Sequence, residues 1–331
     1  MKIGIPSALL HSFYITFWRT FFEELGQQVI ETPPTNKAIL DKGVRHMVPE
    51  ICVPMKIYAG HVAELLDQQA DYIYIPRFVS IHKRDAFCPK FMGLPDMLKC
   101  TIPELNGKII THHLSTRTDD ISVSNEYMKI GGIFTDNRRK IKQAIQKGRK
   151  QWLAFRDLCL EQYDCRQANE KVLASKEPER RDLPLKIGVI GYVYNIYDNF
   201  ISMDVLNKLR QLGADAVTFE MLSEKTIAGQ LKKFPKTLFW TFSNKLLAGA
   251  YHFFEDAGCD GVIHVTAFGC GPDSFLGKIL ELDSVKFHKP FMTIRIDEHT
   301  GESHLQTRVE AFVDMIAKKR SAPVNRANEI A

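Results

Sequence analysis

Three of the seven cysteines share a local setting that suits a metal ligand. Cys52 lies in Glu50-Ile51-Cys52-Val53-Pro54, Cys88 in Phe87-Cys88-Pro89-Lys90, and Cys270 in Phe268-Gly269-Cys270-Gly271-Pro272-Asp273. A proline follows each of them within two residues. Proline fixes φ, so a loop carrying a sulfur gives up less freedom when it orders. At Cys52 and Cys270 the proline falls where a helix is expected to begin, and a helix N-terminus favours thiolate, the ligand form, over thiol. Gly269 and Gly271 beside Cys270 permit close approach of a bulky group. No Cys-x-x-Cys is present, which excludes a zinc ribbon or a ferredoxin-type run. On residue types and spacing alone, the three are either metal ligands or buried structural thiols.

Other residues could assist. Cys100, twelve positions after Cys88, is the one further cysteine that could serve as a fourth ligand. Cys159 and Cys165 lie six apart on an expected connector helix and so should not face one another. They and Cys259 read as small buried hydrophobes. Lys56 and Lys90 follow Cys52 and Cys88 closely; they either offset an anionic group or are ordinary surface lysines. Glu298 and His299, in Asp297-Glu298-His299-Thr300-Gly301-Glu302, are candidate proton-moving groups, or else part of a capping loop before a helix over 305–318. Thr35 and Asn36 are expected to cap the helix that follows them. Tyr192, Tyr194 and Tyr197 either shape a pocket or cover the core.

The elements that must position these residues alternate. Lys2-Ile3-Gly4-Ile5-Pro6 and Lys186-Ile187-Gly188-Val189-Ile190-Gly191 each open as a short apolar strand running into a loop and a helix. The apolar periodicity predicts helices over 13–25, 37–47 and 55–66 in the first half, and over 203–212, 224–233 and 242–255 in the second. Strands are predicted at 28–32, 71–76 and 108–113, and at 216–221, 261–266 and 291–296. Such alternation implies parallel sheets with helical crossovers. The expected fold is α/β, with two Rossmann-like parallel-sheet domains over 1–136 and 185–320. A helical connector and charged, proline-bearing linker at 137–184 joins them, and a tail follows at 321–331. Cys270 and Cys88 both follow strands, and open α/β sheets bind ligands outside the carboxyl ends of their strands. The cysteines would thus meet in the cleft between the domains.

Bulk properties narrow the function. The 331 residues suit two cores, and 45% hydrophobic with 25% charged residues is a globular balance. A net charge of +5 is mild for this length. Its short basic runs, Arg138-Arg139-Lys140 and Lys318-Lys319-Arg320, read as solvated helix faces and C-termini, so no nucleic-acid partner is expected. No apolar run is long enough to span a bilayer, and the N-terminus opens directly on a strand. No membrane association or leader is therefore expected, and the location is expected to be cytoplasmic. In that reducing compartment cysteines serve as thiols or metal ligands rather than disulfides.

Several further segments together resemble one family. They are Ile3-Gly4-Ile5-Pro6, Phe21-Phe22-Glu23-Glu24-Leu25-Gly26, Pro33-Pro34-Thr35-Asn36-Lys37, Tyr72-Ile73-Tyr74-Ile75-Pro76-Arg77 and Cys88-Pro89-Lys90-Phe91-Met92-Gly93-Leu94-Pro95-Asp96, with the Cys52, Cys270 and Asp297 segments already given. In this order the chain resembles the single-chain, activase-related branch of the 2-hydroxyglutaryl-CoA dehydratase family, which also contains double-cubane cluster proteins. The resemblance implies a [4Fe–4S] cluster held by Cys52, Cys88 and Cys270, with one iron open. It also implies an ATP-hydrolysing activase that delivers a low-potential electron, a homo- or heterodimer, and redox or radical chemistry on a small or acyl-CoA substrate. A non-enzymatic electron-transfer or cluster-scaffold role is the alternative. The chain has no Walker A motif, and Gly188-Val189-Ile190-Gly191 is not a Rossmann fingerprint, so the ATPase would be a separate chain. It also lacks six similarly placed cysteines and any residue signature for CoA.

Overall fold

The computed structural model describes residues 1–82, 85–178, 183–299 and 302–321. The first half runs β1 (Lys2–Ile5), α1 (His11–Glu24), β2 (Gln28–Glu31), α2 (Lys37–His46), α3 (Val53–Asp67), β3 (Tyr72–Tyr74), β4 (Arg77–Ile81), α4 (Pro89–Met92), α5 (Leu94–Thr101), β5 (Ile109–Ile110), β6 (His113–Thr116) and α6 (Glu126–Gly131). Two connector helices follow, α7 (Arg138–Leu160) and α8 (Cys165–Ala174). The second half runs β7 (Leu185–Ile190), α9 (Val193–Ile196), α10 (Val205–Gln211), β8 (Ala214–Val217), α11 (Glu224–Leu231), α12 (Thr241–Glu255), β9 (Gly261–Ala267), α13 (Gly271–Ser284), β10 (Phe291–Ile296) and α14 (Glu302–Ser321).

Both main sheets are parallel and share one topology. The first is ordered β2-β1-β3-β5 and the second β10-β9-β7-β8. In each, the opening strand is internal, the second strand lies to one side and the third to the other. The crossovers diverge there and leave a crevice at the strands' carboxyl ends. β9 is buried at all seven positions, the continuous burial of a strand covered on both faces. In α1 the apolar face carries Phe13, Tyr14, Phe17, Trp18, Phe21 and Phe22, all buried. α2 and α3 cross so closely that a Cβ on Gly43 would lie 1.7 Å from the Lys56 carbonyl oxygen. Glycine there locks the helix headed by Cys52 against its neighbour.

The expected strand at 108–113 is split. Ile109–Ile110 joins the first sheet, while His113–Thr116 pairs with β4 in a separate two-stranded parallel sheet. The expected strand at 216–221 ends at Val217 and continues as a 3-10 turn over Phe219–Met221, where the Met221 amide donates to the Thr218 carbonyl. The connector is a helical pair, broken at 161–164. Asp164 caps α8 in a reciprocal box with Gln167, which ends one helix and starts the next. Arg138-Arg139-Lys140 opens α7 rather than closing a helix, and the Lys140 ammonium reaches the Leu25 carbonyl just past the end of α1. Four residues of the expected linker (179–182) and residues 322–331 of the expected tail lie outside the described residues. Among those described, no helix is long and apolar enough to cross a membrane.

The halves are directly tied. Ala86 pairs with Trp240 in a parallel bridge, its amide donating to the Phe239 carbonyl and its carbonyl accepting from Thr241. Beside this bridge, Asn244 donates to Asp85 at 2.9 Å, and Lys245 forms a buried ion pair with Asp119. Burial pushes the Asp119 carboxyl up, but Lys245 and His82 outweigh it and hold it below the usual carboxylate range. Arg156 of α7 donates to the Glu220 carbonyl of the second half at 3.1 Å.

Candidate functional site

Each of the three singled-out cysteines is the residue before a helix. Cys52 precedes α3, Cys88 precedes α4 and Cys270 precedes α13, all in extended backbone with proline in the first turn. The sequence suggested this for Cys52 and Cys270; Cys88 adds a third. Cys270 follows β9 and the tyrosines follow β7, the two strands flanking the crevice of the second sheet.

The structure brings the three together from both halves. Gly269 sits at φ +75°, and a Cβ there would lie 3.8 Å from the Cys52 Cα and 3.7 Å from the Glu50 carbonyl oxygen. The Lys90 ammonium donates to the Gly269 carbonyl at 3.3 Å, so the loop before Cys270 is held from the helix after Cys88. Cys88 and Cys270 line one apolar cavity of about 30 Å³ with Phe91, Tyr192, Tyr194 and Phe242. Cys52 is buried; the other two are half-buried.

Their electrostatics follow from that company. Burial pushes the Cys88 thiol up and Cys52 adds to this, while the amides of Phe91 and Lys90 and the Lys90 ammonium act the other way. Burial is the main cause pushing the Cys270 thiol up; the Asp273 charge, Cys52 and Cys88 add to it, while the Asp273 amide acts the other way. A nucleophilic cysteine is held low by cationic surroundings; Cys88 and Cys270 are held high by burial and by one another. Among the described residues no group of three or more His, Cys, Asp or Glu side chains is arranged to hold a metal ion. Thiolates on a cubane bind different irons and stand further apart than the ligands of one ion. Thiol sulfurs are soft donors of the type an iron–sulfur group takes, so these residues suit such a group in kind.

The supporting residues divide. Lys56, almost wholly buried, donates to Glu298 at 2.5 Å across the two halves. Burial pushes the Glu298 carboxyl up, but Lys56 pulls it down further and leaves it below its usual range. His299 is exposed, and its amide donates to Asp297 as in a capping loop; Thr300 and Gly301 lie outside the described residues. Cys100 is exposed on α5. Asn36 caps α2 through the Ile39 amide, as expected. Thr35 does something else, donating to Asp198 at 2.5 Å and lying 2.8 Å from His61 Nε2. Burial pulls His61 down to about 3, so it is a neutral link. Its Nδ1 meets Thr32 at 2.5 Å. Thr35 and Asp198 line a cleft pocket of about 230 Å³ between the halves, walled by Ser7, Leu9, Ile57 and Tyr194. No local signal marks Asp198 or His61; their partners are distant in sequence.

Cys159 and Cys165 face one another, contrary to the expectation from a single helix. The turn at 161–164 folds α8 back, and Cys159 adds to the burial that pushes the Cys165 thiol up, so the two lie side by side. Both are completely buried. Nearby Glu220, also buried, has its carboxyl pushed up to about 7 by burial, despite bonds with Thr218 and Tyr197.

Fold and site together define a two-sheet parallel α/β protein with a three-thiol site where the sheets' crevices meet. The family model described as "CoA enzyme activase uncharacterised domain" matches residues 2–222, and the chain belongs to that family. The matched segment includes Cys52 and Cys88 but not Cys270. No curated protein matches the chain. Among solved structures, an FpvC mutant from Pseudomonas aeruginosa is 12% identical over 96% of this chain and 100% of its own, with a TM-score of 0.29. The SBP FpvC from the same organism in complex with Mn2+ is 10% identical over 96% and 99%, with a TM-score of 0.30. At those scores neither likeness bears on the fold or ligand of this chain.

Proposed function

We propose that the protein is an iron–sulfur redox protein whose Cys52, Cys88 and Cys270 hold one [4Fe–4S] cluster. It would receive a low-potential electron from an ATP-hydrolysing activase, for reductive or radical chemistry of the 2-hydroxyacyl-CoA dehydratase type on a small or acyl-CoA substrate. The observation that carries this is the convergence of three helix-heading, proline-followed cysteines from two separate halves. Membership of an activase-related family supports the partner. So do the exposed Phe268 and Phe275, which flank Cys270 in sequence, since exposed apolar groups can mark docking sites.

The chain's own residues have definable parts. Cys52, Cys88 and Cys270 supply the thiolates. The amides of Lys90 and Phe91 act on the Cys88 sulfur and that of Asp273 on the Cys270 sulfur, which favours negative charge there. Lys90 adds cationic charge beside Cys88, while Lys56 pairs with Glu298 and ties the two halves beside the site. Phe91, Tyr192, Tyr194 and Phe242 exclude water. When bound, the cluster supplies one-electron transfer; the protein sets its charge environment and access.

The apolar and aromatic lining beside Cys88 and Cys270 favours a second reading, an electron-transfer or cluster-scaffold protein, because such a lining offers a polar substrate few contacts. Anaerobic purification or reconstitution with iron and sulfide tests the cluster itself. The expected product is brown, with about four irons per chain and none in the triple Cys→Ser variant. A folded, colourless protein that takes up no iron would refute both readings. Turnover with an activase, ATP and a reductant then separates catalyst from carrier.

A further inference from the structure

Carboxylates that join the two halves differ in their partners. Asp119 is paired with Lys245, and Glu298 with Lys56. Asp198, just after α9, is held by neutral donors: the Thr35 hydroxyl at 2.5 Å, and the Phe200 and Ile201 amides at 2.9 and 3.0 Å. Among the described residues it has no ion-pair partner. The Thr35 hydroxyl ends a chain of bonds that runs one way. Because Thr35 donates to Asp198, it accepts from His61 Nε2, and the neutral imidazole then offers Nδ1 to the Thr32 hydroxyl. Thr32 in turn accepts from the Ser7 amide at 3.1 Å. The carboxylate is the last acceptor of this chain and has no cation to balance it.

Asp198 is half-buried and opens on the cleft pocket of about 230 Å³, which Thr35, Tyr194, Tyr197 and Phe200 also line. Arg166, a cation on the same wall, is engaged elsewhere. It donates to Asn199 and lies 3.4 Å from Asp204 and 3.7 Å from Asp164. A charge taken out of water without a counter-charge is costly, so the pocket favours a cation. A calcium-like ion would need about six oxygen ligands, whereas the groups around this carboxylate are donors. An organic ammonium needs one carboxylate for its head, and aromatic and aliphatic walls suit the rest of it.

We infer that the cleft pocket binds a small organic amine in its ammonium form. The head bonds the Asp198 carboxylate, and the carbon skeleton lies against Leu9, Ile57 and the aromatic side chains. The volume equals that of roughly eight waters, which sets the size of the ligand. No cysteine takes part, so the pocket stands whether or not a cluster is bound.

Isothermal titration calorimetry on the full chain tests this, with protein as purified and after anaerobic reconstitution. The probes are benzylamine and n-butylamine, with benzyl alcohol and butyrate as their neutral and anionic counterparts, at about pH 7.5, where alkylamines are charged. Both amines should saturate one site per chain, and the two counterparts should bind about ten-fold more weakly or less. Asp198→Asn keeps an acceptor for Thr35 and should weaken the amines by about ten-fold or more. Ser12→Trp, which fills the pocket from α1 and leaves the carboxylate in place, should abolish amine binding. Amines that do not saturate, or butyrate that binds as tightly as n-butylamine, would overturn the assignment. So would an amine affinity unchanged in Asp198→Asn or in Ser12→Trp. Iron content is read on the same samples, so failure of the cluster and failure of the amine site are seen separately.

Discussion

The protein has two groups of neighbouring cysteines with opposite surroundings. Cys52, Cys88 and Cys270 come from three distant points in the chain, each heads a helix, and two of them reach the surface. Cys159 and Cys165 lie on either side of the turn between α7 and α8, are wholly buried, and share their space with Glu220, Arg156 and Tyr197. In both places burial raises thiol pKa values. Burial therefore does not distinguish a site from a core. A proline in the first turn after each of the three, and a cavity beside Cys88 and Cys270, do.

That contrast can be broken most severely by single Cys→Ser replacements. Changing Cys52, Cys88 or Cys270 should remove most of the iron from anaerobically prepared protein, while far-ultraviolet circular dichroism stays that of the wild type. Cys159→Ser and Cys165→Ser should keep full iron content. Equal iron loss in both groups would erase the distinction.

The next largest effect concerns Glu220. Its carboxyl is raised from an ordinary 4.5 to about 7 in the folded state. The proton it holds favours folding fully below the unfolded value, and that contribution is lost as pH rises through about 7. At about 1.4 kcal/mol per unit, the loss approaches 3 kcal/mol. Urea unfolding of metal-free protein between pH 4.5 and 8 should show this decline, and Glu220→Gln should flatten it. A wild-type profile as flat as that of Glu220→Gln would show that the carboxyl is not held up by burial.

Smaller still is the cost of polarity at the sealed pair. Cys165→Ser puts a stronger polar group into a fully buried position and should destabilise by about 1–3 kcal/mol in urea. Cys270→Ser in metal-free protein should cost less, since its side chain is only half-buried. At the bottom of the scale, Cys100→Ser should change stability by no more than about 0.5 kcal/mol, as exposed substitutions do, and should leave iron unchanged. Iron loss there would add a fourth ligand to the first group.

What was legible in the sequence was local. The prolines after Cys52, Cys88 and Cys270 announce helix starts, and the matching runs at Lys2 and Lys186 announce matching sheets. Contacts made at long range were not legible. Thr35 looks like a helix cap, but its partner Asp198 lies 163 positions away. Cys159 and Cys165 look misaligned on one helix, and only the Asp164 capping box shows that there are two. The strands Arg77–Ile81 and His113–Thr116 are short and mixed in polarity, so their alternation is weak; they form through pairing with each other. Tyr192 and Tyr197 are alike as letters and differ in what their hydroxyls meet, Ser243 for one and Thr218 for the other.

The Ala86–Trp240 bridge has a mechanical consequence. Ala86 is paired on one side with Ser80 of β4 and on the other with Trp240, two positions ahead of Cys88. Its two backbone hydrogen bonds hold the segment leading into Cys88 against the start of α12, so a residue two positions from one thiol is fixed from both halves at once.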